Sequence, residues 1–328
     1  MAETIALMRK KFAVNGSWVH YSGYIAFVFI LVFFTIKSKI FLTPNNISNI
    51  LIQSSPLGVV GCGMATILLG GGSHILRGGI DLSLADNIAF GVGIMAIMIQ
   101  TQQSFLAGFA LVLLVGLIIG IINAYAIVKL NVIPLVGTLA MMYVLKGGAM
   151  LVTNNVYIIV DNPILNFIGK GNILGIPVMV LIFVLVSIIM YLAINRTAYG
   201  NWLSAAGGNT EVAKISGVKV GTVIASTYVI ASLTAAISAV LVSARVSGSV
   251  RGIGDSMLMD VLLVGYLSAI FSRAGIPSIP GAIISALFVG TLTNGFTLIN
   301  FPTFWVYAIK GVLILVAVSV TTKTRKGV

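Results

Sequence analysis

The chain has 328 residues, of which 59% are hydrophobic and only 8% are charged, and its mean hydropathy is +1.12. A soluble domain carries about 25% charged residues, so this composition excludes a soluble globular protein and indicates a polytopic membrane protein. Lys and Arg number 19 against 7 Asp and Glu, but they lie mostly at the ends of apolar runs, which excludes a nucleic-acid partner. The single cysteine, Cys62, offers neither an internal disulfide nor a metal cluster.

Apolar runs long enough to approach the roughly 20 residues of a membrane span recur along the whole chain. They predict an all-α protein with about ten transmembrane helices, at residues 18–36, 47–71, 84–100, 105–130, 133–153, 176–195, 220–244, 257–271, 281–299 and 304–320. No small-residue cleavage site follows the first apolar core, so we expect the first run to remain as a helix rather than to be removed as a signal peptide.

The basic residues orient these spans, because short cytosolic connections are enriched in Lys and Arg. With the N-terminus inside, twelve fall in the cytosol: Arg9, Lys10, Lys11, Arg77, Lys129, Arg196, Lys214, Lys219, Arg273, Lys323, Arg325 and Lys326. Five fall outside, namely Lys37, Lys39, Lys170, Arg245 and Arg251, and Lys146 and Lys310 lie within spans. This distribution predicts both termini inside, residues 154–175 as the longest external loop, and residues 196–219 as a cytosolic loop.

Spans two to five and spans seven to ten then run in opposite senses, which predicts an inverted repeat. A short echo supports this prediction, since Arg-Gly-Gly-Ile-Asp at 77–81 resembles Arg-Gly-Ile-Gly-Asp at 251–255.

A glycine-rich segment separates the second and third spans and ends in Gly78, Gly79, Ile80, Asp81, Leu82 and Ser83. Asp81 is either a functional ionisable group near the membrane or a structural residue that caps the third helix. The cap needs only one Asp at a helix start, which favours the structural interpretation. His74 in the same segment is expected to make an interfacial hydrogen bond. No G-x-x-x-x-G-K-[ST] motif occurs, so the chain has no P-loop of its own.

The cytosolic loop 196–219 is the most polar long interruption of the apolar pattern. Asn209 can cap a short helix, Glu211 lies in its first turn, and Lys214 lies three residues further on. Gly217 can end this helix in a left-handed conformation, and Val212, Ile215 and Ser216 share one face. Such a short helix is marginal alone and requires support, and the alternative is a solvated loop.

Few charged or amide side chains lie inside the spans. Asp260 and Lys310 have similar predicted depths and form a candidate ion pair, although Lys310 could instead extend towards the external interface. Lys146 is expected at the external interface or in a cavity. Asn87, Asn123 and Asn294 either hydrogen-bond across helices or line a polar path. No nucleophile–base set and no metal-spaced cluster occurs, so we expect neither an enzyme nor a metal site.

Several of these segments together resemble the ribose-type permease subunits of bacterial ABC sugar importers. The resemblance runs from about residue 41 to 320, and five motifs carry it. The first is Gly79–Ser83, and the second is Thr138–Met142 with Leu145, Lys146 and Gly147. The third is Gly207, Gly208 and Asn209 with Glu211, Ala213, Ser216 and Gly217; the last two are Ala244 with Arg245 and Asn294 with Gly295. The chain departs from the family pattern at 265–277, where most of the expected glycines are absent.

The resemblance implies a single transmembrane permease domain over residues 1–328 in the bacterial inner membrane. It implies a second permease copy or paralogue, an ATPase with two nucleotide-binding domains that holds ATP and Mg²⁺, and a periplasmic sugar-binding protein. The segment from Gly207 to Gly217, with Lys214, would be the coupling helix that contacts the ATPase, and Gly78–Ser83 and Asn294 would belong to the membrane motif. The alternative function is a stand-alone secondary transporter or channel, with Asp81 or the Asp260–Lys310 pair as its ion site. A membrane scaffold would not explain the inverted halves.

Overall fold

The computed structural model describes residues 21–71, 79–272 and 275–326. The helices there are α1 (Tyr21–Lys37), α2 (Pro44–Gly70), α3 (Leu84–Gln100), α4 (Phe105–Val128), α5 (Pro134–Thr153), α6 (Pro163–Lys170), α7 (Val178–Asn195), α8 (Ala198–Gly208), α9 (Thr210–Ile215), α10 (Val220–Val246), α11 (Ile253–Ile270), α12 (Ile279–Leu298) and α13 (Thr303–Lys326). Short strands lie between them: β1 (Ile158–Ile159), β2 (Asn172–Ile173), β3 (Ile176–Pro177) and β4 (Gly248–Ser249).

Each predicted span overlaps one helix of the described ranges, and the ends differ by a few residues. Seven of these helices are long and apolar enough to cross a membrane: α2, α4, α5, α7, α10, α11 and α12. The apolar parts of α1, α3 and α13 are shorter, at 10–17 residues. The chain is therefore a multi-pass membrane protein built from helices.

The centre of the molecule is formed by α2 and α10, each of 27 residues. Small residues let their backbones approach closely: a Cβ added at Gly63 would lie 2.8 Å from the Cα of Ala231. Ser238 of α10 donates a hydrogen bond to the carbonyl of Pro56 inside α2, at 2.9 Å. In a lipid environment such close van der Waals packing and interhelical hydrogen bonds hold helices together.

The helix contacts repeat when α2, α3, α4 and α5 are exchanged for α10, α11, α12 and α13. The helix α4 packs on α10 as α12 packs on α2, and α3 contacts α10 as α11 contacts α2. In the same way α5 packs on α3 as α13 packs on α11. This is the contact pattern expected of two related halves. The first helix, α1, lies outside this repeat and packs against the second half, where Phe34 contacts Phe296 and Gly295.

Two groups of connecting segments lie at the two ends of α10. At its C-terminal end, β4 pairs with β1 in an antiparallel register of Ile158 with Ser249 and Ile159 with Gly248. This pairing joins the two longest connections that the sequence predicts to be external. Near the N-terminal end of α10, α8 and α9 pack close to the end of α2. The β1–β4 pair and the α8–α9 segment therefore lie at opposite ends of α10.

Candidate functional site

The segment between α7 and α10 folds as two helices joined by Asn209. Asn209 ends α8 and caps α9, and its side-chain oxygen accepts hydrogen bonds from the backbone N–H groups of Glu211 and Val212, both at 3.1 Å. The backbone of Asn209 is extended, with φ −147° and ψ 102°, as an N-cap residue requires. The predicted short helix and its cap are thus present in the structure.

The end of α9 also follows the sequence prediction. Gly217 has φ +82°, and the N–H of Val218 donates to the carbonyl of Ala213 at 3.0 Å. Only glycine adopts this left-handed conformation without strain. Lys214 Nζ lies 3.3 Å from Glu211 Oε1, and both side chains are exposed, so this pair contributes little to stability.

The helix α8 was missed by the sequence analysis, and it is the element that supports α9. Its three glycines and mixed polarity give no apolar stripe of helical period. In the structure Leu203 is fully buried and contacts Gly70 at the end of α2. A Cβ added at Gly207 would lie 1.9 Å from the Leu69 carbonyl oxygen, whereas Gly208 faces open space. The support required by the marginal helix α9 therefore comes from α8, which is itself packed on α2.

A second contact ties α8 to α10. The hydroxyl of Tyr199 lies 2.8 Å from Ser226 Oγ, and burial raises the pKa of this phenol above its ordinary value, so it stays neutral. Ala213 of α9 is buried in the same small core. Through these contacts α8 and α9 are fixed to both central helices of the bundle.

The α8–α9 segment exposes three large apolar side chains beside the exposed Glu211 and Lys214. Val212 is 56% exposed, Ile215 is 88% exposed, and Trp202 of α8 is 50% exposed. Exposed apolar side chains grouped beside a polar rim are typical of a protein-interaction surface. We name Trp202, Val212 and Ile215 the outer face of the α8–α9 segment.

The second predicted motif forms a buried polar network where the chain enters α3. Asp81 Oδ1 accepts hydrogen bonds from the Ser83 N–H at 2.8 Å and from the Ser83 hydroxyl at 2.6 Å. Asn123 of α4 donates to Ser83 Oγ at 2.9 Å and lies 3.4 Å from Asp81 Oδ2. The Leu82 N–H donates to Thr138 Oγ1 of α5 at 3.1 Å. The motif thus provides hydrogen-bond partners for the polar groups at the start of α3, which is buried among apolar helices.

One detail of the sequence prediction for Asp81 is wrong. The N-cap residue of α3 is Ser83, not Asp81, because the first helical residue is Leu84. Asp81 lies two residues before this N-cap residue, and its hydrogen bonds to Ser83 hold the turn that leads into α3. Gly79 has φ +102° and Ile80 is buried, whereas Gly78 and His74 lie outside the described residues.

The amides inside the spans bond across helices. Asn294 of α12 accepts a hydrogen bond from Asn46 at the start of α2 at 3.0 Å, and Asn87 donates to the carbonyl of Ser232 at 3.3 Å. These are the hydrogen bonds across helices that the sequence predicts as one alternative for the buried amides. They link the two halves.

A polar cavity of about 460 Å³ lies between α2, α10, α11, α12 and α13. Lys310 Nζ lies 2.7 Å from Asp260 Oδ1, and both residues are buried, so Lys310 does not extend to the surface. Arg245 and Thr293 line the same cavity, and the buried Thr293 Oγ1 has no hydrogen-bond partner within the described ranges. The cavity therefore offers buried charge and a hydroxyl to a polar molecule.

A second ion pair was not predicted. Lys146 Nζ of α5 lies 2.7 Å from Asp255 Oδ1 of α11, and Asp86 of α3 lines the same small pocket. The sequence offers no local partner for Lys146, although Asp255 lies in the short echo between residues 77–81 and 251–255. Across the residues that the structure covers, no group of three or more His, Cys, Asp and Glu side chains converges as a metal site would require.

Comparison with known proteins shows that the chain is similar to transport permeases. A family model described as branched-chain amino acid transport system / permease component matches residues 46–318. The ribose import permease protein RbsC of Bacillus subtilis is 29% identical, over 98% of each chain. The L-arabinose ABC transporter permease protein AraH of Azospirillum brasilense is 28% identical over 93% of this chain and 89% of its own. RbsC of Escherichia coli K12 is 28% identical over 92% of this chain and 93% of its own. No solved structure matches the chain.

Proposed function

Because the chain belongs to the permease component family of branched-chain amino acid transport systems, we propose that it is the transmembrane subunit of an ATP-driven importer of the bacterial inner membrane. The observation that carries the proposal is the capped helix α9 with its exposed outer face, fixed to α2 and α10 in a chain that contains no P-loop. The relatives are transport permeases rather than enzymes. Hydrolysis of ATP with Mg²⁺ therefore belongs to a separate subunit.

The proposed arrangement in the membrane uses all ten apolar helices, with both termini in the cytosol and one permease domain over residues 1–328. The grouping of loops at two ends and the paired contacts of the two halves support this arrangement. The short helix α3 would cross with the help of the break that precedes it, whose polar groups are bonded internally. Residues 196–219 would then be the cytosolic coupling loop.

The proposed partners follow from this arrangement. An ATPase with two nucleotide-binding domains would cover Val212 and Ile215, a second permease copy or close paralogue would complete the pore, and a periplasmic binding protein would deliver the solute. Closure of the ATPase on ATP would move α8 and α9, and the bonds of Tyr199 and the close contact at Gly207 would transmit that movement to α10 and α2.

The solute that we propose is a sugar or sugar-like molecule. Two observations support it: the relatives matched over nearly their full length are named for ribose and L-arabinose, and the cavity beside Asp260 offers polar groups that suit hydroxyls. The family description mentions branched-chain amino acids, but the cavity is lined by Arg245, Lys310 and Thr293 rather than by apolar side chains alone.

Reconstitution tests the proposal. The chain is placed in liposomes with or without the ATPase and binding protein of its own operon, and uptake of radiolabelled D-ribose and L-arabinose is measured with internal and external ATP. We expect uptake only with all components and with ATP on the side of the ATPase. A stand-alone secondary transporter would instead show uptake by the chain alone, driven by a proton gradient and abolished by Asp81→Asn.

A further inference from the structure

A groove of about 770 Å³ lies between the end of α4 and the start of α10, beside α9. Its floor is apolar and accessible, since Ile121 is 52% exposed and Tyr125 is 58% exposed, and Val128 and Val229 complete it. Lys214 belongs to the proposed coupling segment and Ser226 to its contact with α10, whereas the other lining residues have no role described above.

The rim of the groove is basic. Lys129, Lys214 and Lys219 line it, and no acidic residue is among its lining residues. Lys214 has a partner in Glu211, but that contact is 3.3 Å long and solvent-exposed, so the ammonium remains available to a stronger anion. The rim is therefore complementary to a negatively charged group.

The position of the groove indicates that its ligand also has an apolar part. Lys129 directly follows the last residue of α4, and Lys219 directly precedes the first residue of α10, so the basic rim lies where two helices end. The apolar floor continues along α4, the most hydrophobic of the long helices, whose exposed side chains include Leu114 and Ile118. Tyr125 lies between the two zones, as an interfacial aromatic residue does.

We propose that this groove binds one anionic phospholipid, with its phosphate between the three lysines and an acyl chain along α4. A ligand with an anionic head and an apolar tail matches both zones, and basic pockets between transmembrane helices are known to bind anionic headgroups. Contact of the phosphate with Lys214 would place the lipid directly against α9.

Lipid competition tests the proposal. The full chain, purified in the assembly in which it is extracted, is delipidated and exposed to equal amounts of phosphatidylglycerol and phosphatidylcholine with identical acyl chains. Native mass spectrometry then counts the bound lipids. Because three lysines would face the headgroup, we expect at least a tenfold preference for phosphatidylglycerol that falls close to unity in K129Q/K214Q/K219Q.

The matched control is K37Q/K39Q/K170Q, which removes the same charge from exposed lysines elsewhere on the described surface. This control and K129R/K214R/K219R are both expected to keep the preference. Equal loss in the control, or an unchanged preference in the glutamine variant, would overturn the proposal.

Two further arms distinguish other ligands. Inorganic phosphate or glycerol 3-phosphate at millimolar concentration is expected not to displace the lipid, and displacement would indicate a soluble-anion site instead. If K129Q/K214Q/K219Q binds both lipids as the wild type does but no longer co-purifies with the ATPase, the groove is a protein contact and the lipid assignment is wrong.

Discussion

At the scale of single residues, the charged groups inside this protein divide into those that complete a local network and those that face a cavity. Asp81 belongs to the first group, because its hydrogen bonds go to Ser83 and it lies close to Asn123. Asp260 and Lys310 belong to the second, because they pair at 2.7 Å on the wall of a 460 Å³ cavity. The two groups respond differently to substitution.

Replacement of Asp81 separates its structural role from an ion-binding role. Asp81→Asn keeps an acceptor for Ser83 and is expected to retain most stability and transport. Asp81→Leu leaves the buried polar groups of Ser83 without their partner, at about 1–3 kcal/mol for each unsatisfied group, so the thermal midpoint in detergent should fall by several degrees. Complete loss of ATP-driven uptake in a stable Asp81→Asn variant would contradict the structural role.

The two ion pairs provide a matched comparison of buried and exposed charge. Lys310→Met leaves the Asp260 carboxylate buried without its cation and is expected to cost about 3–5 kcal/mol. Lys146→Met removes an equally short pair whose Asp255 side chain is 59% exposed, and should cost about 0–1 kcal/mol.

Thermal melting of the purified protein measures the loss of stability in each variant. Asp260→Asn combined with Lys310→Met should recover part of the loss, because the carboxylate that Lys310→Met leaves without its ion-pair partner is then neutral. Equal costs for Lys310→Met and Lys146→Met would show that the cavity hydrates Asp260 freely.

At the scale of elements, the sequence is a good guide to the long helices and a poor guide to α8. Long apolar runs locate α2 to α5 within a few residues, and the Asn209 cap and Gly217 locate α9, because each of these signals is local. The helix α8 has no such signal: its glycines are present for the close approach to α2, which is a tertiary requirement. Likewise, nothing local links Lys146 to Asp255, which are far apart in sequence.

The neighbouring glycines of α8 test its contact with α2. Gly207→Ala places a methyl group where the Leu69 carbonyl lies and should destabilise the protein by about 1–3 kcal/mol, the usual cost of overpacking. Gly208→Ala meets open space and should be neutral or slightly stabilising, since alanine favours a helix. Comparable melting curves and ATPase stimulation for both variants would show that α8 is not held at Gly207.

At the scale of the whole molecule, two related halves meet at α2 and α10 and present different ends. One end carries the β1–β4 pair and the β2–β3 hairpin, and the other carries α8 and α9. The resemblance and the charge distribution of the sequence together predict this division. The cavity, the groove and the second ion pair could not be predicted in this way, because they arise between helices that are distant in sequence.

Cysteine labelling tests the proposed sidedness without background, because the single native cysteine, Cys62, is fully buried. Leu174→Cys at the hairpin tip and Ile215→Cys on α9 are introduced separately; the native side chains are 98% and 88% exposed. In intact spheroplasts a membrane-impermeant maleimide should label Leu174→Cys and spare Ile215→Cys until the membrane is opened. The reverse pattern would invert the topology.

The most direct test of the central claim is ATPase stimulation in the reconstituted assembly, measured with the solute-loaded binding protein. Ile215→Asp places a charge on the outer face of α9 and is expected to reduce stimulation at least tenfold and to weaken co-purification of the ATPase, with an unchanged melting curve. Leu174→Asp makes the same change at the opposite end and should leave co-purification of the ATPase intact. Full stimulation with Ile215→Asp would contradict the account, because the separate ATPase would then drive this chain through another surface.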